Sequence, residues 1–207
     1  MRSRWVVAVK KSKRNVVVLT SLVALLSLTS ALLLALAPPP ISAEQFDTLS
    51  ASDRPDFLNV IFKTTAPQKA AQWKYIFIHQ SSTTSGDAAT LAIPRSGLCD
   101  HFVIGNGNGC EDGEIQMGPR WMNQVAAAPS PGLDHIEPSC ISINIVGDFD
   151  HTMPTSAQLH RLTELVSTLQ NQYRIGSDRV IMLNESTPGA SIGRYFPITA
   201  FRDQILP

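Results

Sequence analysis

Val16 to Ala37 runs for 22 residues without a charged side chain. At about 1.5 Å per residue such a helix is long enough to cross the hydrocarbon core of a bilayer. It also exceeds the roughly 7–15 apolar residues of a cleaved signal peptide. Arg2, Arg4, Lys10, Lys11, Lys13 and Arg14 precede it, and Pro38-Pro39-Pro40 closes it, because proline lacks the N–H and fixes φ. This placement of charge predicts a cytoplasmic head over 1–15, a transmembrane signal anchor over 16–37 and an exported remainder, periplasmic or extracellular. Ile41-Ser42-Ala43 is compatible with cleavage, so a removed signal peptide and a secreted domain form the alternative.

The exported part carries a different charge from the whole. All six basic residues before position 44 fall away and no acid does, leaving 11 Lys and Arg against 17 Asp and Glu. A mildly acidic domain of this kind excludes a nucleic-acid partner, which needs a basic face. Residues 38–72, rich in Pro, Ser and Asp, read as a spacer with a short helix around Phe57 to Phe62. The stretch 73–207 is long enough for one domain with a proper core. Three cysteines, Cys99, Cys110 and Cys140, forbid complete internal pairing. A Cys99–Cys110 disulfide and three free, partly buried thiols both fit.

Within the domain, the apolar run from Lys74 to Ile78 reads as a buried strand, and Asp100 to Ile104 as a second. Gly105 to Gly109 is a turn, since Gly and Asn accept positive φ cheaply. Gly113 to Met117 returns as a hairpin partner. Arg120 to Pro138 shows no regular pattern. Ile141, Ile143 and Ile145 alternate with Ser142 and Asn144, the mark of a half-buried strand. Thr155 and Gln158 form a capping box ahead of Leu159, Leu162, Val166 and Leu169 at helical spacing, with Gly176 as the exit. Val180 to Leu183 is a last short strand. Strands alternating with helical segments predict an α/β fold.

His79 stands at the end of the first strand, where α/β sheets place ligands. Its surroundings carry a specific likeness. Ile78-His79-Gln80-Ser81 resembles the I-H-H-S/T opening of the type-2 N-acetylmuramoyl-L-alanine amidase and peptidoglycan recognition protein family. Asp100 to Gly105 resembles its Y-H-F-x-I-G segment. Gly118-Pro119-Arg120-Trp121 resembles the hairpin that ends in Arg-Trp, and Ser142 to Phe149 the S-I-G-I-x-L-V-G-D-F strand. Pro154 to Leu159 resembles the P-T-x-x-Q helix start, and Pro188 to Pro197 the closing T-x-C-P-G-x-x-F-P. The likeness runs from Trp73 to Phe196. It implies a central mixed β-sheet flanked by helices, peptidoglycan or muropeptides as partners, and zinc as the family's cofactor.

The resemblance also implies a mechanism: two histidines and a cysteine or aspartate hold zinc with one position open, and the bound water attacks the amide between muramic acid and L-alanine. In this chain His79 fills the first ligand position. The second falls on Leu183, with Asn184 beside it, and the third on Ser191. The family's tyrosine position is Asp100, and its G-A-H triplet is Ala126-Ala127-Ala128. Leucine has no donor atom and a serine hydroxyl is a poor ligand, so no cofactor is expected and the chain reads as an inactive relative. A rebuilt site would draw on His101, His135, His151, His160, Asp100 or Glu185.

Three functions fit such a chain. The first is a membrane-tethered domain that binds peptidoglycan without hydrolysing it, through groove residues His79, Asp100, Arg120, Trp121 and Asn184. The second is an active amidase with an unorthodox metal site. The third is a scaffold without glycan binding. The G-x-S-x-G match from Gly189 to Gly193 is rejected as a hydrolase elbow, because Pro188 precedes it and no histidine occurs after His160.

Overall fold

The computed structural model describes residues 13–36, 47–49, 60–69, 71–129, 137–182 and 192–205. The chain forms two compact units, Met1–Pro40 and Ile41–Pro207. The first unit contains helix α1, Lys13–Leu36. Its side chains are described over 17–30, and all of them are exposed. The hydroxyls of Thr20, Ser21, Ser27 and Thr29 donate back to carbonyls three or four residues earlier. Among the described residues no helix is long and apolar enough to cross a membrane.

The second unit is built on a six-stranded mixed sheet. Its strands are β1 (Asp47–Leu49), β2 (Tyr75–Gln80), β3 (Phe102–Ile104), β4 (Ile115–Met117), β5 (Cys140–Ile145) and β6 (Val180–Met182). Their order across the sheet is β1-β4-β3-β5-β2-β6. The β3–β4 hairpin and the β1–β4 edge are antiparallel. The β3–β5, β5–β2 and β2–β6 pairs are parallel. The mixed sheet flanked by helices is the predicted class. The spacer reading missed β1, a three-residue strand with no hydrophobic pattern. The helix expected around 57–62 is a single 3-10 turn over 60–62 within the described residues.

Side chains alternate between the two faces of a strand, and here the faces differ in chemistry. Ile76 and Ile78 of β2, Ile141, Ile143 and Ile145 of β5, and Phe102 and Ile104 of β3 join one large core cluster. Helix α3, Ser156–Tyr173, closes that face with Leu162, Leu165, Val166 and Leu169. The capping box forms as predicted: Thr155 Oγ1 accepts from Gln158 N, and Gln158 Oε1 accepts from Thr155 N. Gln158 then reaches on to donate to the carbonyls of Val146 and Ile104. The helix ends earlier than Gly176, at Arg174, which adopts φ 55° as a left-handed cap. The segment 120–138, read as irregular, opens with a one-turn helix α2, Pro119–Met122, and the chain also forms a short α4, Ile198–Arg202.

The opposite face of the sheet carries Tyr75, Phe77 and His79 of β2 beside Cys140, Ser142 and Asn144 of β5. The register sets Phe77 against Ser142 and His79 against Asn144. Polar side chains alternating with isoleucine on a buried strand are unusual, and they mark this face as the one with chemistry.

Candidate functional site

His79 lies on β2, one residue before its end, and is 3% exposed. Its Nε2 is 2.9 Å from Asp100 Oδ1. Its Nδ1 is 3.2 Å from the backbone oxygen of Gln80. The ring stacks on Phe77 with centroids 5.3 Å apart. Both ring nitrogens therefore face oxygen acceptors. A carboxylate can only accept, so Nε2 is the ring nitrogen that carries a proton toward Asp100.

Asp100 enters from the segment before β3 and is equally buried. Ser142 Oγ donates to its Oδ1 in a short contact. Asn144 Nδ2 donates to its Oδ2 at 3.0 Å. Burial alone would raise the carboxyl pKa. The facing His79 charge and the hydrogen bonds from His79, Ser142 and Asn144 together outweigh it and hold the value at about 2. Asp100 is thus a permanent carboxylate at any ordinary pH. Ser142 and Asn144 were not singled out in the sequence as site residues. Their alternation with the β5 isoleucines, on the strand adjacent to His79, was the signal that could have found them.

His101, the next residue, points the other way. Its Nδ1 accepts from Ser142 N at 3.0 Å, and Nε2 donates to Val125 O at 2.9 Å. Trp73 and Trp121 pack edge-on against the ring. Burial pushes its pKa down to about 4. It is a neutral, structural histidine with both nitrogens in use.

The remaining candidates are scattered. Trp121, expected in a groove, has no exposed surface, and its indole donates to Ile61 O at 2.6 Å. It packs against Phe102 and belongs to the core, because its large apolar ring fills the space beneath α2. Arg120 is half-buried and pins the chain around it, with Nε donating to Leu98 O and Nη1 to Ala126 O. It lines a shallow pocket of about 240 Å³ with Leu98, Pro119, Asn123 and Val125. Leu183, Asn184, Ser191, His135 and Glu185 lie outside the described residues. His151 and His160 are exposed and face Asp148 and Glu164. Asp150 joins the loop 148–150 to the C-terminal segment by accepting from Gln80 Nε2 and Arg194 N.

All three cysteines are free thiols. Burial raises Cys99, and pushes Cys110 and Cys140 up to about 12. None is a thiolate at neutral pH, so none is a nucleophile or a ready ligand.

Ligation of zinc needs an imidazole lone pair, and here Nε2 of His79 is turned toward Asp100 and Nδ1 toward the Gln80 carbonyl. Among the described residues no group of three or more His, Cys, Asp or Glu is placed to hold a metal ion. Chemically, the cluster is a buried carboxylate that receives three donors, His79 Nε2, Ser142 Oγ and Asn144 Nδ2.

The family model for N-acetylmuramoyl-L-alanine amidase, Amidase_2, matches residues 69–191, more than half of the chain. No curated protein matches it. Among solved structures, the endolysin N-acetylmuramoyl-L-alanine amidase LysCS of Clostridium intestinale is similar at 21% identity, over 68% of this chain and 89% of that one, with a TM-score of 0.49. PGRP-Hd of Alvinella pompejana is similar at 19% identity, over 65% and 84%, with a TM-score of 0.40. Human PGRP-IβC in complex with glycosamyl muramyl pentapeptide is similar at 21%, over 64% and 90%, with a TM-score of 0.41. Likenesses this distant add no weight of their own. The matched segment runs from just before β2 through Ser191 and contains the whole cluster around His79. The chain belongs to the N-acetylmuramoyl-L-alanine amidase family.

Proposed function

We propose that this chain is a membrane-tethered, exported domain that binds cell-wall peptidoglycan without zinc-dependent hydrolysis. The family match supports the wall as its target, since the family's name designates an amide bond of peptidoglycan. The observation that carries the loss of hydrolysis is the state of His79. Its position matches a zinc ligand of the family, yet its two nitrogens face Asp100 and the Gln80 carbonyl. Leucine at 183 and serine at 191 leave no better donors at the other two positions.

The tether rests on the uncharged run over 16–37 and on the back-bonded hydroxyls of α1. Such bonds remove polar groups that lipid could not satisfy. An active-amidase reading would need substitute ligands. His101 has both nitrogens committed, and His151 and His160 sit on exposed turns of loop and helix.

The test uses the full chain in a mild detergent, mixed with purified sacculi and pelleted. Retention in the pellet with no release of soluble peptides, with or without zinc, is the expected result. Peptide release that a chelator abolishes would show an active amidase. A chain left in the supernatant at every salt concentration would leave only the scaffold reading. Extraction of membranes at alkaline pH tests the tether separately: the chain should stay with the lipid.

A further inference from the structure

We propose that Asp100, Ser142 and Asn144 form a built-in replacement for a metal centre, holding His79 by its Nε2–H where the family uses zinc. The metal of such a site ties together chain segments that are distant in sequence. Here four side chains do the same. They come from β2 (His79), the lead into β3 (Asp100) and β5 (Ser142, Asn144), separated by 21 to 65 positions along the chain from the first of them.

Asp100 and Asn144 explain one another. Asp100 is a buried acid, and Asn144 on β5 faces it with its amide nitrogen 3.0 Å from Oδ2. A buried carboxylate without partners costs several kcal/mol. Asp100 avoids that cost because it receives three donors: His79 Nε2, Ser142 Oγ and Asn144 Nδ2. Asn144 is oriented for this purpose. Its amide nitrogen reaches Asp100 while its Oδ1, fully buried, has no hydrogen-bond partner. Turning the amide over would set its oxygen against the carboxylate and withdraw a donor from it.

The same network refuses a metal. A cation at Nε2 would have to displace the Asp100 contact and leave a buried carboxylate short of a donor. A cation at Nδ1 would find no comparable donor at the other two ligand positions, which are Leu183 and Ser191. The carboxylate itself is shielded by the three donors around it, and it is less than one-tenth exposed. The domain is accordingly stabilised by the cluster and indifferent to zinc.

The test is thermal unfolding of the full chain in detergent micelles, after chelation and again with excess zinc. The midpoint should not move between the two conditions, whereas a metal that binds the native state raises it. Asp100→Asn and Asn144→Leu should each lower the midpoint by roughly 5 °C, and zinc should not restore it. A second readout needs no variant. Two-bond proton–nitrogen correlations of the His79 ring should show the proton on Nε2, unchanged on adding zinc. A zinc-induced rise in the midpoint, a ring nitrogen that loses its proton to zinc, or variants as stable as the parent would each overturn the proposal. Sacculus binding enters neither readout, so this inference and the proposed wall binding fail independently.

Discussion

His79 Nε2 and Asp100 Oδ1 lie 2.9 Å apart with both side chains almost wholly withdrawn from solvent. Removing one member of a buried pair leaves the other uncompensated, which costs about 3–5 kcal/mol. His79→Ala is therefore expected to destabilise the chain by about that much in urea unfolding. His79→Gln keeps a side-chain N–H that can face Asp100 and should recover part of the loss. Equal stability of the two variants would show that the hydrogen bond to Asp100 contributes nothing.

A second expectation concerns acid. His101 in the native state has its pKa pushed down to about 4, from 6.5, chiefly by burial. Asp100 beside it pulls the value up and Arg120 pulls it down, both less strongly than burial. Between these two pH values the unfolded chain binds more protons at this residue than the folded one, so stability rises with pH there. The contribution is complete above about pH 6.5 and is lost as pH falls toward 4, for a total of about 3 kcal/mol. Asp100, held at about 2 against 3.8 in the unfolded chain, adds slope of the same sign only at the acid end of that window, where the unfolded carboxyl begins to take up protons. Unfolding followed by the fluorescence of buried Trp73 and Trp121 at pH 7.5, 6, 5 and 4.5, as working points for that window, checks this. The slope should flatten in His101→Asn.

Trp121 supplies a third. Because it is buried against Phe102 and bonded to Ile61 O, Trp121→Ala should cost about 3–5 kcal/mol of stability. Its effect on sacculus binding should follow the folded fraction alone. A variant that stays folded at low temperature but fails to pellet would return Trp121 to the groove.

Much of the fold is readable in the residues, and the site is readable only in part. The capping box at Thr155 and Gln158, the alternation of Ile141, Ile143 and Ile145, and the turn at Gly105 to Gly109 each obey a local rule, and each forms where that rule puts it. Strand β1 does not announce itself, because Asp47, Thr48 and Leu49 owe their conformation to pairing with β4, a partner nearly seventy positions away. The site has the same character. His79 and Asp100 are visible as positions in a family pattern, but their pairing depends on sheet order, which sets β5 between β2 and β3. Ser142 and Asn144 become site residues only through that order. Trp121 misleads in the sequence because an aromatic next to arginine looks the same in a groove as in a core. Only the packing against Trp73 and Tyr173 separates the two.

The last expectation concerns the capping box, where two neighbouring residues carry unequal loads. Thr155 Oγ1 accepts from Gln158 N and donates to Asp112 Oδ1 at 2.6 Å. Thr155→Ala loses one cap and one part-buried contact and should cost about 1 kcal/mol. Gln158 does more. Its Oε1 returns the cap to Thr155 N, and its Nε2, buried beneath the sheet, donates to the carbonyls of Val146 and Ile104 at the ends of β5 and β3. Gln158→Ala leaves the Val146 carbonyl without that donor, at about 1–3 kcal/mol for a buried group that loses its partner, while the Ile104 carbonyl keeps the Val146 N–H. It should therefore destabilise the chain clearly more than Thr155→Ala in the same urea titration. It should also speed hydrogen exchange at the amides of Val146 and Gly147, where the strand ends loosen first. Equal losses for the two variants would mean that the helix cap, and not the tie between α3 and the sheet, is what Gln158 provides.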